Sequence, residues 1–128
     1  MKKLIASTLA AITIIATPIA YAQDATATAP KAYMIGSYDI KDEAVFAQYI
    51  EAATPIVAQY GGQVIVYNAD VTAIEGESRS VIAIAEFPSL ADAQRYYNSP
   101  EYTAARQFFT RSTEGFRIIT EGAGLPTK

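Results

Sequence analysis

Two short segments constrain this chain more than anything else in it. "AYMIGSYDI" at 32–40 and "SVIAIAEF" at 80–87 are apolar on both of their alternating residue sets. Tyr33 and Ile35 oppose Met34, Tyr38 and Ile40; Val81, Ala83 and Ala85 oppose Ile82 and Ile84. A strand sends successive side chains to opposite faces of its sheet, so a strand apolar on both sets needs cover on both faces. The chain has no cysteine. Its stability has to come from a packed core, or from a partner subunit, and not from disulfides.

The segments between these strands read as helices with clear punctuation. In "DEAVFAQYIEAATPIVAQYGG", Val45, Phe46, Tyr49, Ile50 and Ala53 recur at helical spacing, and Asp42 can cap the start. Pro55 lacks a backbone donor, which predicts a break or kink there, with Thr54 as a fresh N-cap. Gly61-Gly62 ends the helix, since glycine accepts a left-handed backbone. "QVIVYNA" at 63–69 is a second strand, and the turn-prone "EGES" within 70–79 closes a hairpin onto the third. In "EFPSLADAQRYYNSPEY", Ser89 and Asp92 form an approximate capping box. Ser99, Pro100 and Glu101 start a further helix. "FRIIT" at 116–120 is the last strand.

The order strand, helix, strand, strand, helix, strand predicts a ferredoxin-like βαββαβ fold: α+β, four antiparallel strands, helices on one face. Those helices leave the second face of the two apolar strands bare. A second copy of the same sheet would cover it, which predicts a homodimer. An apolar open face or a ligand pocket is the alternative.

The first 22 residues predict export. A positive "MKK", a thirteen-residue apolar run and small residues at Ala20 and Ala22 make the three-part pattern of a signal peptide cut between Ala22 and Gln23. A spanning helix needs about 20 apolar residues, and this run is shorter and meets Pro18. No stable membrane insertion is therefore expected after cleavage, and the mature protein should be periplasmic or secreted. Residues 23–31 read as a flexible leader, 32–122 as the domain and 123–128 as a tail. Losing Lys2 and Lys3 takes the net charge from −3 to −5. An acidic chain without a basic cluster is not expected to bind nucleic acid.

Composition also limits chemistry. Without histidine or cysteine there is no Ser-His-Asp triad, no thiol nucleophile and no typical structural zinc site. No metal or cofactor is expected: Asp39, Asp42 and Glu43 read as a cap with first-turn acids, and no glycine-rich phosphate loop occurs. Tyr49, Tyr60, Tyr97 and Tyr102 read as core residues with hydroxyls at the rim. Tyr38, Tyr67 and Tyr96 are candidates to face a cleft, with Arg106 and Arg111 as further ligand candidates. Arg106, Arg111 and Arg117 read most simply as surface charges. Glu86, a lone charge ending an apolar strand, is the candidate acid or base. It is expected to pair with one of those arginines or with a tyrosine hydroxyl.

"YGGQ" at 60–63, the turn glycine of "IEGES", "EFPSLADAQRYYNSPEY" and "TEG" at 120–122 resemble the DUF1330 family over residues 32–122. The resemblance implies a dimeric α/β barrel, in which two ferredoxin-like sheets pack face to face, and it implies no reaction. The chain departs from the family pattern at Tyr96, where tryptophan is usual, and at Gln63 and about Phe109, where arginine is common. Two functions fit: an envelope protein binding a small organic molecule between sheet and helices, or a cofactor-independent enzyme using Glu86. Oxygenases and isomerases of that fold supply the analogy for the second.

Overall fold

The computed structural model describes residues 29–124. The predicted signal peptide, its cleavage site, most of the leader and the last tail residues lie outside them. The elements are β1 (Ala32–Ile40), α1 (Glu43–Gln59), β2 (Gln63–Asn68), β3 (Val81–Phe87), α2 (Leu90–Asn98), α3 (Pro100–Ser112) and β4 (Thr113–Glu121). The four strands form one antiparallel sheet in the order β2-β3-β1-β4. This is the ferredoxin-like arrangement, with α1 and the α2–α3 pair packed on one face.

Register sorts the side chains. Ala32, Met34 and Tyr38 of β1 and Val81, Ala85 and Phe87 of β3 are buried under the helices. Phe46, Tyr49, Ala53, Ile56 and Val57 of α1 and Tyr102, Ala105 and Phe109 of α3 close the same core. On the other face, Val66, Ile84, Ile35 and Ile118 line up across all four strands. Phe116 and Ile118 there are 55% and 49% exposed, so the helices leave this face to water.

The punctuation is local and forms as the residues dictate. Asp42 accepts from the Val45 N–H at 3.0 Å, and Ser89 accepts from the Asp92 N–H at 3.1 Å. The Ser89–Asp92 box closes hydroxyl to carboxylate at 2.8 Å, because aspartate is a methylene shorter than the usual glutamate. Gly61 takes a φ of +74°, and the Gly61 and Gly62 N–H groups satisfy the Ala58 and Val57 carbonyls.

Pro55 differs from expectation. Helix α1 runs through it to Gln59, and Thr54 donates its hydroxyl to the Ile50 carbonyl at 2.6 Å instead of capping a new helix. Pro55 and Glu51 lie on the exposed side, so the carbonyl that proline strands can turn to water. Ala53, Ile56 and Val57, buried on either side of Pro55, hold the helix in one piece. At the far end of β1, Asp39 accepts from Arg79 at 2.8 Å and from both the N–H and hydroxyl of Ser80 at 2.9 Å. Those bonds hold the Asp39 carboxyl well below the usual carboxylate range and latch the long β2–β3 connection to the sheet. No helix among the described residues is long and apolar enough to cross a membrane.

Candidate ligand-binding cleft

Between α1 and the β2–β3–β1 part of the sheet the core does not close. The cleft has a volume of about 80 Å³ and opens to the surface beside Ile50, Val64 and Tyr67. That is well under the roughly 300–1,000 Å³ of drug-sized pockets, so it suits a small molecule or one end of a larger one.

Three backbone features place its polar groups. The first is Gly36, which pairs with Arg117 across β1 and β4. A Cβ on Gly36 would sit 3.0 Å from the Arg117 Cγ. The bare glycine lets the arginine stem cross the sheet toward the helices. The second is a bulge in β2. Val64 pairs with Ala85 and Tyr67 with Ala83, so β2 spends one residue more than β3 over the same span. The extra residue returns Tyr67 to the helix-covered face; strict alternation would have sent it to the open one. The third is Ser99, which serves both helices. Its hydroxyl donates to the Tyr96 carbonyl at 2.8 Å and accepts from the Tyr102 N–H at 3.1 Å. The rings of Tyr96 and Tyr102 lie 4.2 Å apart as a result of that corner. Ser99→Ala is expected to lower stability by about 1–2 kcal/mol, because the hydroxyl is a cap and is buried. Urea denaturation measures it, and an unchanged midpoint would show that Pro100 alone sets the corner.

Arg117 is the centre of the site. Its Nη1 donates to the Tyr49 hydroxyl at 3.2 Å and to the Tyr102 hydroxyl, and its guanidinium lies 3.6 Å from the centre of the Phe109 ring. The two tyrosine oxygens are 3.2 Å apart and hydrogen-bonded to each other. No carboxylate among the described residues pairs with Arg117. Tyr96 is fully buried and its hydroxyl has no partner among them. Burial raises the Tyr38, Tyr49, Tyr67 and Tyr96 hydroxyls above the ordinary tyrosine value. In Tyr38, Tyr49 and Tyr96 it does so against the downward pull of Arg117. The site is therefore a cation among neutral phenols.

Tyr38, Tyr67 and Tyr96 all line this cleft. Arg106 and Arg111 do not: they lie over the rings of Tyr97 and Phe108, away from the cavity. Arg117, read from sequence as a surface charge, is half-buried on the helix side of β4. Tyr49 and Tyr102 keep their hydroxyls inside rather than at the rim, for Arg117 draws them there. Glu86 sits on the opposite face of the sheet, beside Gln63 and Tyr33, and binds the Lys31 ammonium at 2.6 Å. Its predicted arginine or tyrosine partner is thus corrected to Lys31, since α3 and Arg117 belong to the other face. Glu86→Gln is expected to leave the cleft unchanged, because Glu86 and its Lys31 partner stand on the other face of the sheet. Near-ultraviolet circular dichroism of the tyrosines checks this, and an altered spectrum in the folded variant would mean that Glu86 acts on the cleft through the sheet. Among the described residues no group of acids is placed to hold a metal ion.

A ferredoxin-like domain with an apolar, arginine-bearing cleft between sheet and helices is the class that this fold and site define. The chain belongs to the DUF1330 family: that family's model, a domain of unknown function, matches residues 31–123. No curated protein matches the sequence. A protein of unknown function from Rhodopseudomonas palustris is similar in structure, with 17% identity and a TM-score of 0.63, covering 75% of this chain and 85% of its own. SnoaB from Streptomyces nogalater, a cofactor-independent oxygenase, is similar at 10% identity and a TM-score of 0.55, covering 78% of this chain and all of its own. A hypothetical Arabidopsis thaliana protein matches at 14% identity and a TM-score of 0.54, covering 77% and 93%. At such identities the likeness extends to the fold alone.

Proposed function

We propose that the chain is an exported domain that binds a small organic molecule in the cleft between sheet and helices, and that it works as a two-fold dimer. One observation carries the binding: an apolar cleft open to the surface contains a half-buried cation that no carboxylate among the described residues neutralises. A well-formed apolar pocket with a few convergent polar groups is the usual form of a small-molecule site. Binding is favoured over turnover by the ionisation of the lining. Burial keeps the four lining tyrosines neutral. No lining group is ready to take a proton near neutral pH, and Glu86 is on the wrong face to supply one. The apolar row on the open sheet face supports the dimer, and the leader supports export.

Native mass spectrometry of the protein from its natural source tests all three parts at once. The expected species is a dimer of chains beginning at Gln23 and carrying a small-molecule adduct. A chain that retains Met1 to Ala22 would overturn export, and a monomer mass would overturn the dimer. A chain without adduct that also takes none from a small-molecule extract of the same source would overturn binding.

A further inference from the structure

We infer that the molecule held in this cleft is an organic monoanion, a small apolar or aromatic body with one carboxylate, gripped by Arg117 with the Tyr96 hydroxyl as a second donor. The inference rests on reading the cleft as a ligand site and adds the ligand's chemistry.

The argument is a mismatch between donors and acceptors. Among the described residues Arg117 uses only Nη1; Nε and Nη2 make no hydrogen bond there. That free edge is the fork that matches the two oxygens of a carboxylate. The Tyr49–Tyr102 hydrogen bond uses one hydroxyl proton of the pair and leaves the other without an acceptor among the described residues. The buried Tyr96 hydroxyl is a further unused donor. Against these donors, the lining holds no aspartate, glutamate, asparagine or glutamine. Phenol oxygens can accept, but those of Tyr49 and Tyr102 already do so from Arg117.

Charge points the same way. The ion pairs among the described residues join Asp39 to Arg79, Glu86 to Lys31, Asp92 to Arg95 and Glu114 to Lys41 and Arg79, and none of them reaches Arg117. Arg117 has Phe109 beneath it instead. Stacking on a ring recovers part of the cost of leaving water, but it satisfies none of the Nε or Nη2 protons. Nor can Tyr38, Tyr49 or Tyr96 become the counterion, since burial holds them neutral. One cation calls for one negative charge. The lining Met34, Val57, Tyr96 and Phe109 call for an apolar body, and a cavity of about 80 Å³ calls for a small one.

The test pairs each acid with its primary amide, which keeps shape and removes charge. Benzoate with benzamide, and hexanoate with hexanamide, are titrated into the purified protein by calorimetry. At least one acid should bind about tenfold or more tightly than its amide, the scale of a hydrogen-bonded charge pair. Arg117→Gln should erase that preference while the amide still binds, and Arg117→Lys should restore part of it. Tyr96→Phe should weaken the acid severalfold while its melting temperature holds or rises, because a buried hydroxyl without a partner is removed. Circular dichroism confirms folding. If Arg117→Gln does not fold, Arg117→Lys and Tyr96→Phe still decide the matter. Equal affinity for acid and amide overturns the anion inference and leaves the cleft reading standing. No binding by any of the four probes overturns both. An acid preference that survives Arg117→Gln overturns the assignment to Arg117.

Discussion

Gly115→Ala is expected to cost this protein more stability than any other single methyl group added to it. Gly115 pairs with Tyr38 on β1 and takes a φ of +153°, a backbone that L side chains rarely adopt. A Cβ there would lie 2.6 Å from the Tyr38 Cα and closer still to the Ser37 carbonyl oxygen. These are backbone atoms of a central strand and cannot swing aside. Tyr38 itself is wedged between Phe46 and Phe109, at ring distances of 5.9 and 4.8 Å. The methyl must push β4 away from β1 and open the Tyr38 pocket. Strain and overpacking together should cost about 3 kcal/mol or more, out of a total of about 5–15 kcal/mol for a domain of ordinary stability. For a domain of this size the melting temperature should fall by roughly 10–20 °C. Gly76→Ala is the control. Gly76 also has a positive φ, +70°, but nothing lies within 4 Å of its Cβ position. It should cost only about 1 kcal/mol, the backbone part alone. Similar losses for both variants in thermal melts would show that conformation and not contact governs Gly115.

The fold was readable because its signals are local. Asp42, Ser89, Ser99 and Pro100 act within one turn of helix, so residue type and spacing decide them. The two-sided apolar strands β1 and β3 are central in the sheet, as their composition requires. Much of the site was not readable, and each miss has a reason. Tyr67 was a cleft candidate and does line the cleft, but the route it takes, the β2 bulge, is a pairing property that "QVIVYN" does not encode alone. Arg117 became the centre of the site because Gly36, some eighty residues earlier in the chain, leaves it room. The glycine in "MIGSY" was the one available signal, since glycine in an apolar strand marks a close approach. Glu86 was misassigned a partner for a similar reason. Alternation places it on the face of Ile82 and Ile84, but the cation that meets it, Lys31, comes from the leader. Thr54-Pro55 shows the opposite failure, where a strong local rule gave way to packing. Ala53, Ile56 and Val57 hold α1 together across a residue that would end an isolated helix.

The pair of substitutions Phe116→Glu and Ile118→Glu is expected to give a folded monomer. Both side chains stand on the open face of β4, where Ile118 ends the row from Val66 through Ile84 and Ile35. Phe116 is 55% exposed and Ile118 49%, so in a lone chain the new carboxylates remain in water. Folding should then change by only about 0.5 kcal/mol per site, as for other surface substitutions. A face-to-face dimer is different. Specific dimers bury roughly 1,600 Å², and this face would lie inside the buried area. Two-fold symmetry brings four carboxylates into that interface, and an unpaired buried charge costs several kcal/mol. Even about 4 kcal/mol weakens association about a thousandfold. Light scattering at micromolar concentration should therefore read two chains for the wild type and one for the variant, with unchanged circular dichroism. Ile74→Glu supplies the control, since Ile74 is 94% exposed and stands off the sheet in the β2–β3 connection. It should stay dimeric. A wild type that scatters as one chain would remove the dimer outright. A double variant that still scatters as two would move the interface elsewhere, and the apolar second face of β1 and β3 would then need another occupant.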